Sequence, residues 1–215
     1  MTVDFYYAPG SAPCRAVILL AKAIGVDLNM KLTHLHEGEH LKPEFLKLNP
    51  QHTVPTMDDN GFSLWESRAI NTYLVEKYAK DDALLPKDPQ KRALVLQRLF
   101  FDAGTLYQRF GDAYYPLIFA GVPVPEDKKK KLEEAFEFLN TFLSSTEYAA
   151  GDKITLADYS LFTSVTSVTA VDFDISKYTN VTKWLSKLKT QLPAEPEGVG
   201  ADAFRQWYLS SVKKN

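Results

Sequence analysis

The chain has 215 residues, 45% of them hydrophobic and 24% charged, with a formal net charge of −2. That length allows one large or two modest domains, and the composition excludes a disordered chain. The near-neutral charge excludes the basic footprint of a nucleic-acid binder, and the single cysteine excludes an internal disulfide and fits a reducing compartment.

In chain order, Val3 to Tyr7 reads as a strand and Ala12 to Gly25 as a helix. Cys14, Val17, Ile18 and Ala21 recur at helical spacing, and Gly25 stands where a helix ends. Leu28 to Thr33 is strand-like, and Leu41 to Leu48 reads as a short helix. "VPTMDDNGFSLW" places two apolar runs around Asn60-Gly61, a favoured hairpin turn. A helix follows from Ser67 to Ala79, with Ile70, Tyr73, Leu74 and Tyr78 on one face. The order β-α-β-(α)-β-β-α predicts a small mixed sheet, with a parallel first pairing and an antiparallel hairpin.

The composition shifts at "KDDALLPKDPQK", whose charges and two prolines suit a linker. The expected division is 1–80, linker 81–90, and 91–215. Residues 91 to 119 read as one long helix or a broken one. Residues 126 to 144 form an amphipathic helix whose Lys128-Lys129-Lys130-Lys131 run reads as a solvated face. In "GDKITLADYSLF", Thr155 is the expected N-cap with Asp158 reaching back to it. Helices near 178–190 and 201–211 complete an all-α second half. The most apolar window, Ala16 to Val26, carries Lys22 and is too short to span a bilayer. The N-terminus lacks a secretory pattern, so a cytoplasmic protein without a membrane partner is expected.

Three stretches carry candidate chemistry. "YYAPGSAPCRA" places Tyr6, Tyr7, Ser11, Cys14 and Arg15 at a strand-to-helix junction, where free N–H groups and a partial positive charge favour an anion. Ser11 either caps the helix or turns outward to a bound anion. In "QHTVPTMDD", Pro55 heads a strand, and a cis Val54-Pro55 bond accounts for it. "WESRAI" puts Glu66-Ser67 at the mouth of another helix, with Arg68 beside them. Cys14 lies on an apolar stripe and reads as a buried, inert thiol. His34 and His36 read as solvated loop residues, and no metal site is expected.

Through "FYYAPGSAPCR", "GEHLKPEFLKLNPQHTVPTMDDNGF", "WESRAINTYLVEKY" and "AAGDKITLADYSL", the chain resembles the cytosolic glutathione transferases, most closely the insect delta class. The resemblance implies a thioredoxin-like α/β N-terminal domain and an all-α C-terminal domain. It implies that Ser11, standing where redox relatives carry a cysteine, donates a hydrogen bond to the sulfur of glutathione. Tyr6 and Tyr7 are the reserve candidates, since other classes of the family use a tyrosine near the end of this strand. By the same resemblance His40 and His52 contact the glycine end of glutathione, Val54 before Pro55 pairs with its cysteinyl backbone, and Glu66, Ser67 and Arg68 gather around the γ-glutamyl group. Ala12, Pro13, Leu35, Tyr107, Phe110, Tyr115, Phe119 and Phe204, with Trp207, are the candidates for an apolar electrophile pocket.

The expected function is conjugation of glutathione to hydrophobic electrophiles in detoxification, with dehydrochlorinase and organic hydroperoxide reductase side activities. Glutathione enters as co-substrate, and no permanently bound cofactor is implied. A homodimer is expected, a heterodimer with a close paralogue being the alternative. The competing reading is a carrier or interaction module that keeps the fold without turnover.

Overall fold

The computed structural model describes residues 2–212. Its elements are β1 (Val3–Tyr7), α1 (Ala12–Ile24), β2 (Leu28–Leu32), α2 (Pro43–Leu48), β3 (Thr56–Asp59), β4 (Phe62–Trp65) and α3 (Ser67–Tyr78), then α4 (Pro89–Phe101), α5 (Tyr107–Ala120), α6 (Glu126–Phe142), α7 (Leu156–Ala170), α8 (Thr179–Gln191) and α9 (Ala201–Val212).

Four strands form one sheet in the order β2-β1-β3-β4. β1 pairs parallel with β2 (Phe5 opposite Met30) and antiparallel with β3 (Phe5 opposite Met57). The β3–β4 hairpin turns at Asn60-Gly61, both with positive φ, as the turn requires. Val3, Phe5 and Met57 point to the face covered by α1 and α3, where Cys14, Val17, Ile18, Ala21, Ile70 and Leu74 complete a small core.

A second, larger core lies among the helices that follow. α1 serves both cores: Leu19 and Leu20 face the helical half. Opposite them runs α7, almost wholly buried and rich in Ser and Thr. Its threonine hydroxyls donate to carbonyls one turn back, such as Thr166 to Phe162 at 2.9 Å and Thr163 to Ser160 at 3.0 Å, which lets them line a buried helix. Asp158 takes the N–H of Thr155 and of Ala149 and the indole N–H of Trp184, each at 2.9 Å. The expected cap is therefore the hub for three segments. Residues 91–119 are the broken helix of the two alternatives: a π-helical turn at Asp102–Leu106 joins α4 to α5. Of the lysine run, Lys129 to Lys131 are exposed, while Lys128 lies half-buried beside Asp112. Among the described residues no helix is long and apolar enough to cross a membrane.

Candidate functional site

One end of the sheet gathers the candidate residues. Parallel pairing brings the end of β2 beside the end of β1, where the Thr33 N–H donates to the Tyr7 carbonyl at 2.9 Å. Antiparallel pairing puts the start of β3 beside that same end, Tyr6 opposite Thr56, and Thr56 lies opposite Trp65 of β4. The loops carrying Ser11, His34 to His40, Val54-Pro55 and Glu66-Ser67 therefore meet at a single edge.

Ser11 is the N-cap of α1, and its hydroxyl accepts from the Cys14 N–H at 3.5 Å. That contact lies beyond the usual range, so the cap holds the hydroxyl loosely and its O–H is free to rotate. Cys14 behind it is fully buried, and burial pushes its thiol up to about 11, against smaller opposing effects of the Ser11 hydroxyl and the Ala8 backbone. The cysteine is thus no nucleophile at neutral pH. Arg15 also points inward: its guanidinium bonds Glu195 (2.6 Å), Thr166 (2.6 Å), Ser167 (2.9 Å) and the Thr163 carbonyl (3.3 Å). It fastens α1 to α7 rather than meeting a ligand. Tyr6 packs edge-on against Phe45, and Tyr7 stacks on Phe5.

The Val54-Pro55 bond is cis, as expected from the sequence. Ahead of it, buried Asn49 donates to the carbonyl and hydroxyl of Thr53 and to the Thr56 hydroxyl, at 2.9 to 3.1 Å, which holds the turn. His52 is exposed with φ of 47°, its ring 6.1 Å from that of half-buried His40. Glu66 also has a positive φ, 71°, a conformation that non-glycine residues keep only when their surroundings impose it. That turn starts α3 directly at Ser67, which is 1% exposed.

Arg68 donates to the Ser67 hydroxyl at 3.1 Å and to Asp102 at 2.6 Å, and its guanidinium lies 5.6 Å from the centre of the Tyr107 ring. Burial alone would weaken the charge on Arg68, but Asp102 outweighs it and the guanidinium is held charged. Asp102 is the residue that sequence reasoning missed. It is wholly buried and comes from the π turn, the kind of helix irregularity that often occurs at functional sites. The available signal was an acid followed by Gly104 inside the apolar run "LFFDAGTLY".

Past the π turn, α5 lines a cleft of about 580 Å³ with Tyr107, Gln108, Gly111, Asp112, Tyr115, Pro116 and Phe119, closed on one side by Lys128 of α6. The Tyr107 and Tyr115 hydroxyls lie 2.5 Å apart. Burial, above all, raises both phenols above their ordinary value. Three expected pocket residues are placed differently. Phe110 is 0% exposed and belongs to the helical core, because α5 turns it onto Tyr114 and Phe204. Ala12 and Phe204 are buried too, Ala12 in the first turn of α1 and Phe204 against the β1–α1 loop. Pro13 is half-buried, Leu35 exposed, and Phe119, at 72% exposure, packs on Trp207 of α9.

The β1–α1 loop and α9 are in direct contact. The Gly10 N–H donates to the Val199 carbonyl at 2.9 Å, and a Cβ on Gly10 would lie 2.8 Å from the Phe204 backbone. With φ of 75° as well, only glycine suits position 10. Glu195 closes the arrangement by accepting from the Ala201 N–H (2.9 Å) as well as from Arg15.

Residues 1–76 match the family description "Glutathione S-transferase, N-terminal domain", and residues 112–191 match its C-terminal domain. A delta-class glutathione transferase of Nilaparvata lugens is 56% identical, with a TM-score of 0.92 over 97% of this chain and 99% of that one. A Bombyx mori glutathione transferase is 44% identical, with a TM-score of 0.92 over 97% of each chain. An epsilon-class enzyme of the housefly, Musca domestica, is 39% identical, with a TM-score of 0.89 over 99% of this chain and 98% of that one. With the thioredoxin-like sheet and helical half described above, these likenesses show that the chain belongs to the glutathione S-transferases, enzymes that use glutathione as substrate, and within them to the insect delta class.

Proposed function

We propose that this transferase activates glutathione through Ser11 and attacks hydrophobic electrophiles with the resulting thiolate. The observation that carries the reading is the loosely capped Ser11 hydroxyl at the positive end of α1, above a cysteine that is itself buried and protonated. A free thiol titrates near ~8.5, so a hydrogen bond and a helix N-terminus are what it needs to ionise at neutral pH. Ser11 donates its O–H to the sulfur and forms no covalent bond.

On this reading residues 1–80 bind glutathione, 81–90 link the two halves, and 91–215 receive the electrophile. His40 and His52 take the glycine end, the Val54 backbone takes the cysteinyl unit, and Glu66 with Ser67 takes the γ-glutamyl amine and carboxylate. Arg68 acts behind Ser67. Tyr107, Tyr115 and Phe119 face the electrophile, with Leu35 and Pro13 across from them. Dehydrochlorination uses the same thiolate as a base, and hydroperoxide reduction uses it as a nucleophile on oxygen. No permanently bound cofactor is needed for these reactions, and the setting is the cytoplasm.

Phe62, Leu94 and Phe100, the last 74% exposed, are large apolar side chains open to water, and a second copy of the chain in a homodimer is the proposed cover. The decisive experiment is the pH profile of kcat/KM with a chlorodinitrobenzene-type electrophile. The wild type shows an apparent pKa below that of free glutathione, and Ser11→Ala moves it back toward the free value. A Ser11→Ala enzyme with an unchanged profile, beside an inactive Tyr7→Phe, would transfer the role to the tyrosine.

A further inference from the structure

His34, His36 and Glu37 lie outside the proposed chemistry, on the loop between β2 and α2. A closed turn carries them. The Glu37 and Glu39 N–H groups donate to the His34 carbonyl (3.1 and 3.3 Å), the Gly38 N–H donates to Leu35 (3.1 Å), and Gly38 has φ of 71°. The Glu39 carboxylate accepts the His34 N–H at 2.7 Å and pins the start of the turn. The backbone is thus fixed while the side chains stay open, His36 at 77% and Glu37 at 59% exposure.

One ligand atom from each of the three residues lies within 4.8 Å of the other two. His36 Nε2 and Glu37 Oε1 are 3.4 Å apart. Two donors at about 2.05 Å from a tetrahedral ion are separated by about 3.3 Å, so this pair already has the spacing of zinc ligands. His34, its ring perpendicular to that of His36 at 5.8 Å between centroids, places a ring nitrogen within 4.8 Å of both and is the third donor. Two imidazoles and one carboxylate suit a borderline divalent cation, and three protein ligands at the surface leave a fourth position for water.

We propose that His34, His36 and Glu37 form a surface site for a zinc-class divalent cation, distinct from the glutathione-binding residues. The ion crosslinks the open side chains of the turn that precedes His40 without entering the chemistry.

The test is calorimetric titration of the full-length, chelator-treated protein with Zn²⁺ in buffer free of glutathione, so that no thiol competes and the outcome is independent of the proposed activity. The expected result is about one Zn²⁺ per chain. His34→Ala and His36→Ala each weaken binding by at least about tenfold, while Glu37→Gln weakens it less. Mg²⁺ does not displace Zn²⁺, since it prefers an all-oxygen octahedral shell. His36 and Glu37 are exposed and His34 is only half-buried, so the variants are expected to fold, and circular dichroism checks that they do. His52→Ala is the control for the other histidine pair and leaves the affinity unchanged. Equal loss in His52→Ala, or wild-type affinity in His36→Ala, overturns the proposal, as does the absence of Zn²⁺ binding.

Discussion

Two serines stand at helix starts on the same edge of the sheet, and they are held in opposite ways. Ser11 is half-exposed, and its hydroxyl meets only Cys14, through the long cap contact to the backbone N–H and through the thiol. Ser67 is buried, bonded by Arg68, which Asp102 grips from another part of the chain. A serine at a helix N-terminus is therefore not one kind of site. What lies beneath it decides whether the hydroxyl is available to a ligand's reacting atom or built into a fixed frame. Under Ser11 lies an apolar core with a protonated thiol, and under Ser67 lies a charged pair.

The contrast is broken most severely at Asp102. Asp102→Ala leaves the largely buried Arg68 charge with only its longer contact to exposed Glu66 at 3.5 Å, and should cost about 3–5 kcal/mol of stability by denaturant unfolding. A loss below about 1 kcal/mol would mean that the Ser67 side is no more rigid than the Ser11 side. Next, Ser11→Ala should reduce kcat/KM by about 10²- to 10³-fold, the cost of one donor to a developing anion, while moving the unfolding free energy by only about 1 kcal/mol. Ser67→Ala should instead raise the KM for glutathione by about tenfold with kcat little changed, the loss of about one hydrogen bond to a charged group. If kcat falls as well, Ser67 takes part in the chemical step and the contrast fails.

The smallest effect is alkaline. The Cys14 thiol is raised by burial from about 9 to about 11, so above pH 9 the unfolded chain gives up this proton before the folded one. Stability that is complete below pH 9 then declines toward pH 11, by about 1 kcal/mol at pH 9.5. Cys14→Ala makes that slope shallower by this amount, the buried tyrosines supplying the rest, and paired unfolding curves at pH 8 and 9.5 will read the difference.

The parts of the fold that rest on local chemistry were legible in the sequence. The Asn60-Gly61 hairpin, the Gly25 end of α1 and the Asp158 cap each follow from residues close in sequence. The cis bond before Pro55 was readable because proline, lacking an N–H, is rarely found at the head of a paired strand, and a cis turn seats it there. What escaped depends on distant partners. Nothing near Arg15 foretells Thr166, Ser167 and Glu195, and nothing near Arg68 foretells Asp102. The pocket was the least legible part. Helical spacing puts Tyr107, Phe110 and Tyr115 on neighbouring faces, yet only packing decides that Phe110 turns inward while its neighbours line the cleft.

The contact between Gly10 and Phe204 bears on how such an enzyme can diversify. The last helix rests on the backbone of the serine-bearing loop with no room for one methyl group, and Trp207 on that helix meets Phe119 beside the cleft. Substitutions that re-seat α9 to admit a new electrophile would also press on the loop that presents Ser11. On the proposed reading, breadth of substrate and strength of thiol activation are not separate dials. Variation in selectivity is most easily tolerated on α5 and at Lys128, and least easily on the inward face of α9.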